Sequence, residues 1–142
     1  MFENILVVCD GNICRSPTVE FMLQARSNKN VSSAGLVGLQ GHDMDATART
    51  VAEQHGLACP PHSGRKLTRE LCQQADLILV MEQRHRERIA QLAPEASGKT
   101  MLLGQWLGNK DVPDPYKRSR DVYEHVYQLM DAAVTEWLKR LG

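Results

Sequence analysis

Cys9 and Arg15 stand six residues apart and bracket the loop Asp10-Gly11-Asn12-Ile13-Cys14, with Ser16-Pro17 directly after it. Gly11 and Asn12 are residue types that tolerate left-handed backbone angles, so the loop is expected to curl with its N–H groups turned inward. A ring of N–H donors beside a helix N-terminus is an anion site. Arg15 adds a planar, permanently charged fork that matches two phosphate oxygens. The same positive field favours the thiolate of Cys9, and the chemistry open to such a group is nucleophilic attack on phosphorus. Thiolate formation explains only part of the advantage. A more acidic thiol is also a weaker nucleophile, with a Brønsted slope of ~0.4–0.5. The larger contribution must come from donors that neutralise phosphate charge and stabilise the transferring phosphoryl group.

Breaking a phosphate ester also needs an acid for the leaving oxygen. Pro113-Asp114-Pro115-Tyr116 supplies the best candidate, because two prolines hold Asp114 in a stiff turn. An isolated Asp-Pro pair reads as an ordinary surface turn. Paired with the Cys9–Arg15 loop, it reads as the second half of a site.

The elements that must position these groups follow from periodicity. Ile5-Leu6-Val7-Val8 is a short apolar run entering the loop, which predicts a buried strand. Ser16 is expected to cap the helix that follows, with Pro17 in its first turn and Glu20 at its positive end. Val31–Ala34, Asp76–Met81 and Thr100–Leu103 predict three further strands. Asp45–His55, Thr68–Gln74 and Arg84–Leu92 predict helices, and a long final helix aligns Val122, Val126, Leu129, Ala133, Trp137 and Leu141. Strands alternating with helices predict a single α/β domain over residues 1–142, three layers with a central four-stranded parallel sheet of the flavodoxin-like kind. Ligands of such sheets bind beyond the carboxyl ends of the strands, where the Cys9–Arg15 loop falls.

The 142 residues carry 17 basic and 17 acidic side chains. That balance points away from nucleic acid and membrane surfaces. No apolar run is long enough for a membrane span or signal-peptide core, so a cytoplasmic protein without membrane insertion is expected. Four cysteines (Cys9, Cys14, Cys59, Cys72) in a reducing compartment suggest catalysis or burial before disulfides.

Val8-Cys9-Asp10-Gly11-Asn12-Ile13-Cys14-Arg15-Ser16-Pro17, Ser33-Ala34-Gly35 and Asp114-Pro115-Tyr116 together resemble the low-molecular-weight protein tyrosine phosphatase family, over almost the whole chain. The resemblance implies a cysteinyl-phosphate on Cys9, Arg15 on the equatorial oxygens and Asp114 as acid, then base. It implies that Ser16 hydrogen-bonds the thiolate, that Asn12, Ser33 and His62 hold the loop in shape, and that no cofactor or metal is needed. His62 can equally be a satisfied, half-buried histidine. The branch most resembled is the bacterial one beside capsule and exopolysaccharide systems. The partner it implies is a phosphotyrosine protein, an autophosphorylating tyrosine kinase, with the phosphatase acting as a monomer. Leu36 and Leu39 occupy a segment where other branches carry an aromatic wall, and with Tyr116 they are the expected substrate pocket.

Asp10 and Cys14 each have two readings. Asp10 either disfavours the Cys9 thiolate by like charge or, with N–H groups pointing in, splays into solvent; solvent is the expected outcome. Cys14 is either a small buried hydrophobe or the partner of Cys9 in a protective disulfide. Cys59 and Cys72 read as structural. Arsenate reductases share the loop but need further cysteines after the third strand, where Met81-Glu82 stands here. A zinc site built from Cys59, His62, Cys9 and Cys14 would quench the nucleophile. A non-catalytic phosphotyrosine-binding module would not need both Cys9 and Asp114.

Overall fold

In the segment Asn4–Cys9 every residue after Asn4 is buried. A short run of aliphatic and β-branched side chains with both faces covered forms a central parallel strand, and this is β1 (Asn4–Cys9) in the computed structural model, which describes residues 2–142. β2 (Asn30–Gly35), β3 (Leu77–Val80) and β4 (Thr100–Leu102) complete one parallel sheet in the order β2-β1-β3-β4. The helices are α1 (Arg15–Arg26), α2 (Ala46–Gln54), α3 (Arg69–Gln74), α4 (Gln83–Leu92) and α5 (Arg120–Leu138).

The twofold period of β1 sorts the core into two layers. Ile5, Val7 and Cys9 join Leu77, Leu79 and Met81 beneath α1, α2 and α5. Leu6 and Val8 join Ile78 and Val80 against Cys72 of α3 and Ile89 of α4. This is the three-layer, flavodoxin-like α/β arrangement expected from the alternation of strands and helices.

Two local expectations change. α1 starts at Arg15 with Cys14 at its N-cap, so Ser16 lies inside the first turn and does not cap; its hydroxyl is turned to Cys9 instead. The buried stripe of α5 is Tyr123, Val126, Tyr127, Met130, Ala133, Val134 and Trp137, while Val122 and Leu129 are only partly buried. The two tyrosines carry the face toward α2, where Tyr127 stacks on His55 at 4.4 Å. Short 3-10 turns at Pro94–Lys99 and Gln105–Leu107 were not foreshadowed by periodicity. Trp137 Nε1 donates to the Leu103 carbonyl at 2.9 Å and ties α5 to the end of β4.

The strand order places the site. From β1 the chain turns to β2 on one side, while β3 lies on the other, so a crevice opens between the carboxyl ends of β1 and β3. Cys9 ends β1 on that crevice, and Glu82 leaves the end of β3 toward it.

Candidate active site

The loop after β1 is held from outside by its carbonyls. Cys9 O accepts from Leu36 N, Asp10 O from Val37 N, Gly11 O from Leu39 N and Ile13 O from Asp45 N, all at 2.8–2.9 Å. Asn12 O accepts from His62 Nε2 at 2.7 Å. With planar trans peptides, carbonyls tied outward turn the N–H groups inward, which is the backbone curl expected of this loop. Only Asn12 takes a left-handed angle, at φ 60°; Gly11 does not. The glycine that the loop does require lies on β2. A Cβ on Gly35 would sit 2.4 Å from the Asp10 carbonyl and 2.9 Å from the Asn12 nitrogen.

Side chains lock the curl in place. Buried Asn12 donates through Nδ2 to Ser16 Oγ and Ser33 Oγ, each at 2.8 Å. Its Oδ1 accepts from the Arg65 N–H at 3.1 Å. Because Ser16 accepts from Asn12, its own O–H is left for the Cys9 sulfur 3.0 Å away. Ser33 Oγ in turn donates to the Glu20 carboxylate. Asn12, Ser33 and His62 are thus brought together around the loop. Glu20 and the Arg65 backbone belong to the same network and carried no recognisable signal in the sequence.

Arg15 is 1% exposed. Its Nη1 donates to Glu82 Oε2 at 2.5 Å and to the Val112 carbonyl at 2.9 Å, and its Nη2 to Asp10 Oδ2 at 3.0 Å. Nε has no partner among the described residues. Asp114 Oδ2 lies 3.8 Å from Nη2. The placement of Asp114 rests on more than its prolines. Val112 N–H donates to the Met81 carbonyl at 2.8 Å, so the segment docks beside β3. Asp114 Oδ1 then accepts from Tyr116 N at 3.0 Å in a tight turn.

A cleft of about 230 Å³ joins these groups. Cys9, Arg15 and Asp114 meet in it, and Ile13, Val37, Leu39 and Tyr116 form its apolar walls. Leu36, expected in the pocket, packs instead on the opposite layer against the α3 and α4 side of the sheet. Alternation along the chain leaving β2 points Leu36 away and brings Val37, 65% exposed, to the rim. Cys14 is buried, and burial, helped by Asp45, pushes its thiol well above the usual range. All four cysteines are free thiols.

Asp10 is not in solvent, contrary to expectation. Its carboxylate holds Arg15, accepts from Arg84 Nη2 at 2.5 Å, and accepts from His85 Nε2 at 3.1 Å. Burial alone would raise its pKa; hydrogen bonds from Arg84 and the surrounding positive charge outweigh that and hold it at about 2. Glu82, Arg84 and His85 are the residues that sequence reading passed over. The available signal was position, since Glu82 stands directly after the strand expected over Asp76–Met81. Among the described residues, Asp10, Glu82 and His85 are the one group whose ligand atoms could converge on a metal ion; Cys59, His62, Cys9 and Cys14 form no such cluster.

The family model for low molecular weight phosphotyrosine protein phosphatases matches residues 4–142. The chain is 52% identical over 142 residues to the low molecular weight protein-tyrosine-phosphatase Etp of Escherichia coli (strain K12), covering 99% of this chain and 96% of that one. It is 48% identical over 143 residues to Wzb of the same strain, covering 100% and 97%. Among solved structures, Vibrio vulnificus Wzb in complex with benzylphosphonate superimposes with a TM-score of 0.96 at 51% identity, covering 99% of this chain and 100% of that one. Similarity at this level spans the whole sheet and every loop that builds the cleft. The chain belongs to the low molecular weight phosphotyrosine protein phosphatase family, hydrolases that act through an active-site cysteine.

Proposed function

We propose that Cys9 is the nucleophile, Arg15 the phosphate-binding cation and Asp114 the acid–base group of phosphotyrosine hydrolysis, and that the physiological substrate is an autophosphorylated tyrosine kinase controlling exopolysaccharide or capsule production. The observation that carries the reading is the convergence of Cys9, Arg15 and Asp114 in one cleft, where Asp10 also lies and Ile13, Val37, Leu39 and Tyr116 give apolar walls. A phosphate cradle floored by a thiol and walled by Val37, Leu39 and Tyr116 suits an aryl ester.

The Cys9 sulfur attacks phosphorus as the P–O bond to the aryl group breaks, and Asp114 in its acid form delivers a proton to the departing phenolate oxygen. The Ser16 hydroxyl stabilises the thiolate through its hydrogen bond. The inward N–H groups and Arg15 balance the charge on the equatorial oxygens. Asp114, now a carboxylate, takes a proton from the attacking water; the S–P bond breaks, and phosphate and the thiolate are released. The kinase substrate is supported by similarity to Wzb and to the probable phosphatase AmsI of Erwinia amylovora, and the aryl reading by the benzylphosphonate held by Vibrio vulnificus Wzb.

Hydrolysis of an aryl phosphate tests the assignment. Cys9→Ser should fall to background, and Asp114→Asn should lose roughly 10²–10⁴-fold in kcat, the usual contribution of a positioned acid. Full activity in Cys9→Ser overturns the mechanism. Equal rates on phosphoserine and phosphotyrosine peptides overturn the aryl specificity.

A further inference from the structure

Arg15 shares both of its carboxylates with a second guanidinium. Arg84 donates to Asp10 through Nη1 at 3.0 Å and Nη2 at 2.5 Å. The same side chain donates to Glu82 through Nε at 3.0 Å and Nη2 at 3.1 Å. Arg15, Asp10, Arg84 and Glu82 therefore close a ring in which two cations are bridged by two anions, with no net charge. His85 supports the ring as a neutral group. Its Nδ1 accepts from the Glu82 N–H at 3.1 Å, so the proton sits on Nε2 and is donated to Asp10. Both imidazole nitrogens and the carboxylate oxygens of Asp10 and Glu82 are thereby engaged.

The position of Arg84 is unfavourable on local grounds. It is the second residue of α4, whose first turn holds no acidic residue, and a cation there opposes the helix dipole. It is 53% exposed. A residue that breaks a local rule on the surface calls for a reason elsewhere.

That reason lies in the charge around the phosphate cradle. An incoming phosphate dianion meets Arg15 together with Asp10 and Glu82, both hydrogen-bonded to Arg15, and with Asp114 3.8 Å from it. Two carboxylates left to Arg15 alone would more than cancel its charge. We propose that Arg84 is a positioning residue for phosphate binding: it takes up the second half of Asp10 and Glu82, so that Arg15 keeps its positive field for the substrate anion. The inference rests on the phosphatase reading of this cleft and extends it to a residue outside the loop.

Arg84→Gln removes one positive charge from the ring. At the effective dielectric of a partly open cleft, this should weaken a bound dianion by roughly tenfold. KM for an aryl phosphate and the inhibition constant of inorganic phosphate should both rise by that factor, with kcat within about threefold. Asp10→Asn combined with Arg84→Gln restores a neutral ring and should bring the inhibition constant back to within about threefold of wild type. Arg84→Lys keeps the charge and should lie closer to wild type than Arg84→Gln. Wild-type phosphate affinity in Arg84→Gln, or a double variant weaker than the single one, overturns the proposal. Calorimetric binding of inorganic phosphate to wild type and Arg84→Gln reads the ring without turnover. A wild type that binds phosphate but hydrolyses no ester would therefore refute the catalytic reading separately.

Discussion

Asn12→Ala should cost about 4 kcal/mol of folding stability. The buried amide of Asn12 makes three side-chain hydrogen bonds, to Ser16, Ser33 and the Arg65 N–H. At about 1 kcal/mol net for each, their loss accounts for roughly 3 kcal/mol. The backbone adds to this, since φ is 60° and alanine tolerates the left-handed region worse than asparagine, by roughly 1 kcal/mol. For a chain of this size the sum corresponds to a fall in Tm of about 12 °C. Urea unfolding should show a lower midpoint with an unchanged slope, because the surface exposed on unfolding is the same. Ser33→Ala breaks one of the same three bonds, so the double variant should lose about 1 kcal/mol less than the sum of the single losses. The aryl phosphatase rate should drop with stability, because the Ser16 and Ser33 hydroxyls and the Arg65 N–H, freed from the Asn12 amide, no longer hold the curl. A loss below about 1 kcal/mol in Asn12→Ala, or strict additivity with Ser33→Ala, would refute the claim that this amide shapes the loop.

Two further predictions concern neighbouring parts of the site. Gly35→Ala places a methyl 2.4 Å from the Asp10 carbonyl, against backbone that cannot yield without moving the loop, and should cost about 3 kcal/mol or more with a matching loss of kcat/KM; a variant of wild-type stability and rate would show that the loop tolerates displacement. Asp10 has a folded pKa of about 2, below its ordinary 3.8, so its contribution is fully present above pH 4 and is lost as pH falls through the folded value. After allowance for screening at this half-open rim, wild type should lose about 1–2 kcal/mol more than Asp10→Asn between pH 4 and 2 in chemical unfolding, and parallel curves for the two proteins would refute the linkage.

The sequence alone determined the strands and helices, the Cys9–Arg15 loop and the turn that carries Asp114. Short apolar runs, glycine and proline punctuation and helix caps act within a few residues of one another, so β1, β3 and the helix spans are visible in the order of the residues. The Cys9–Arg15 loop is similarly local, as is the turn that holds Asp114. Contacts between distant segments were not visible, because no local pattern encodes which side chain meets which across a crevice. Asp10 was expected in solvent because its own loop points it outward. Only the strand order, which sets β3 beside β1, brings Glu82, Arg84 and His85 to meet it. Leu36 and Val37 exchanged roles for a similar reason: both are aliphatic, and the register after β2 decides which one faces the cleft. Sequence spacing placed Cys9 and Arg15 at the two ends of one loop, and the tertiary fold decided the charge that surrounds it.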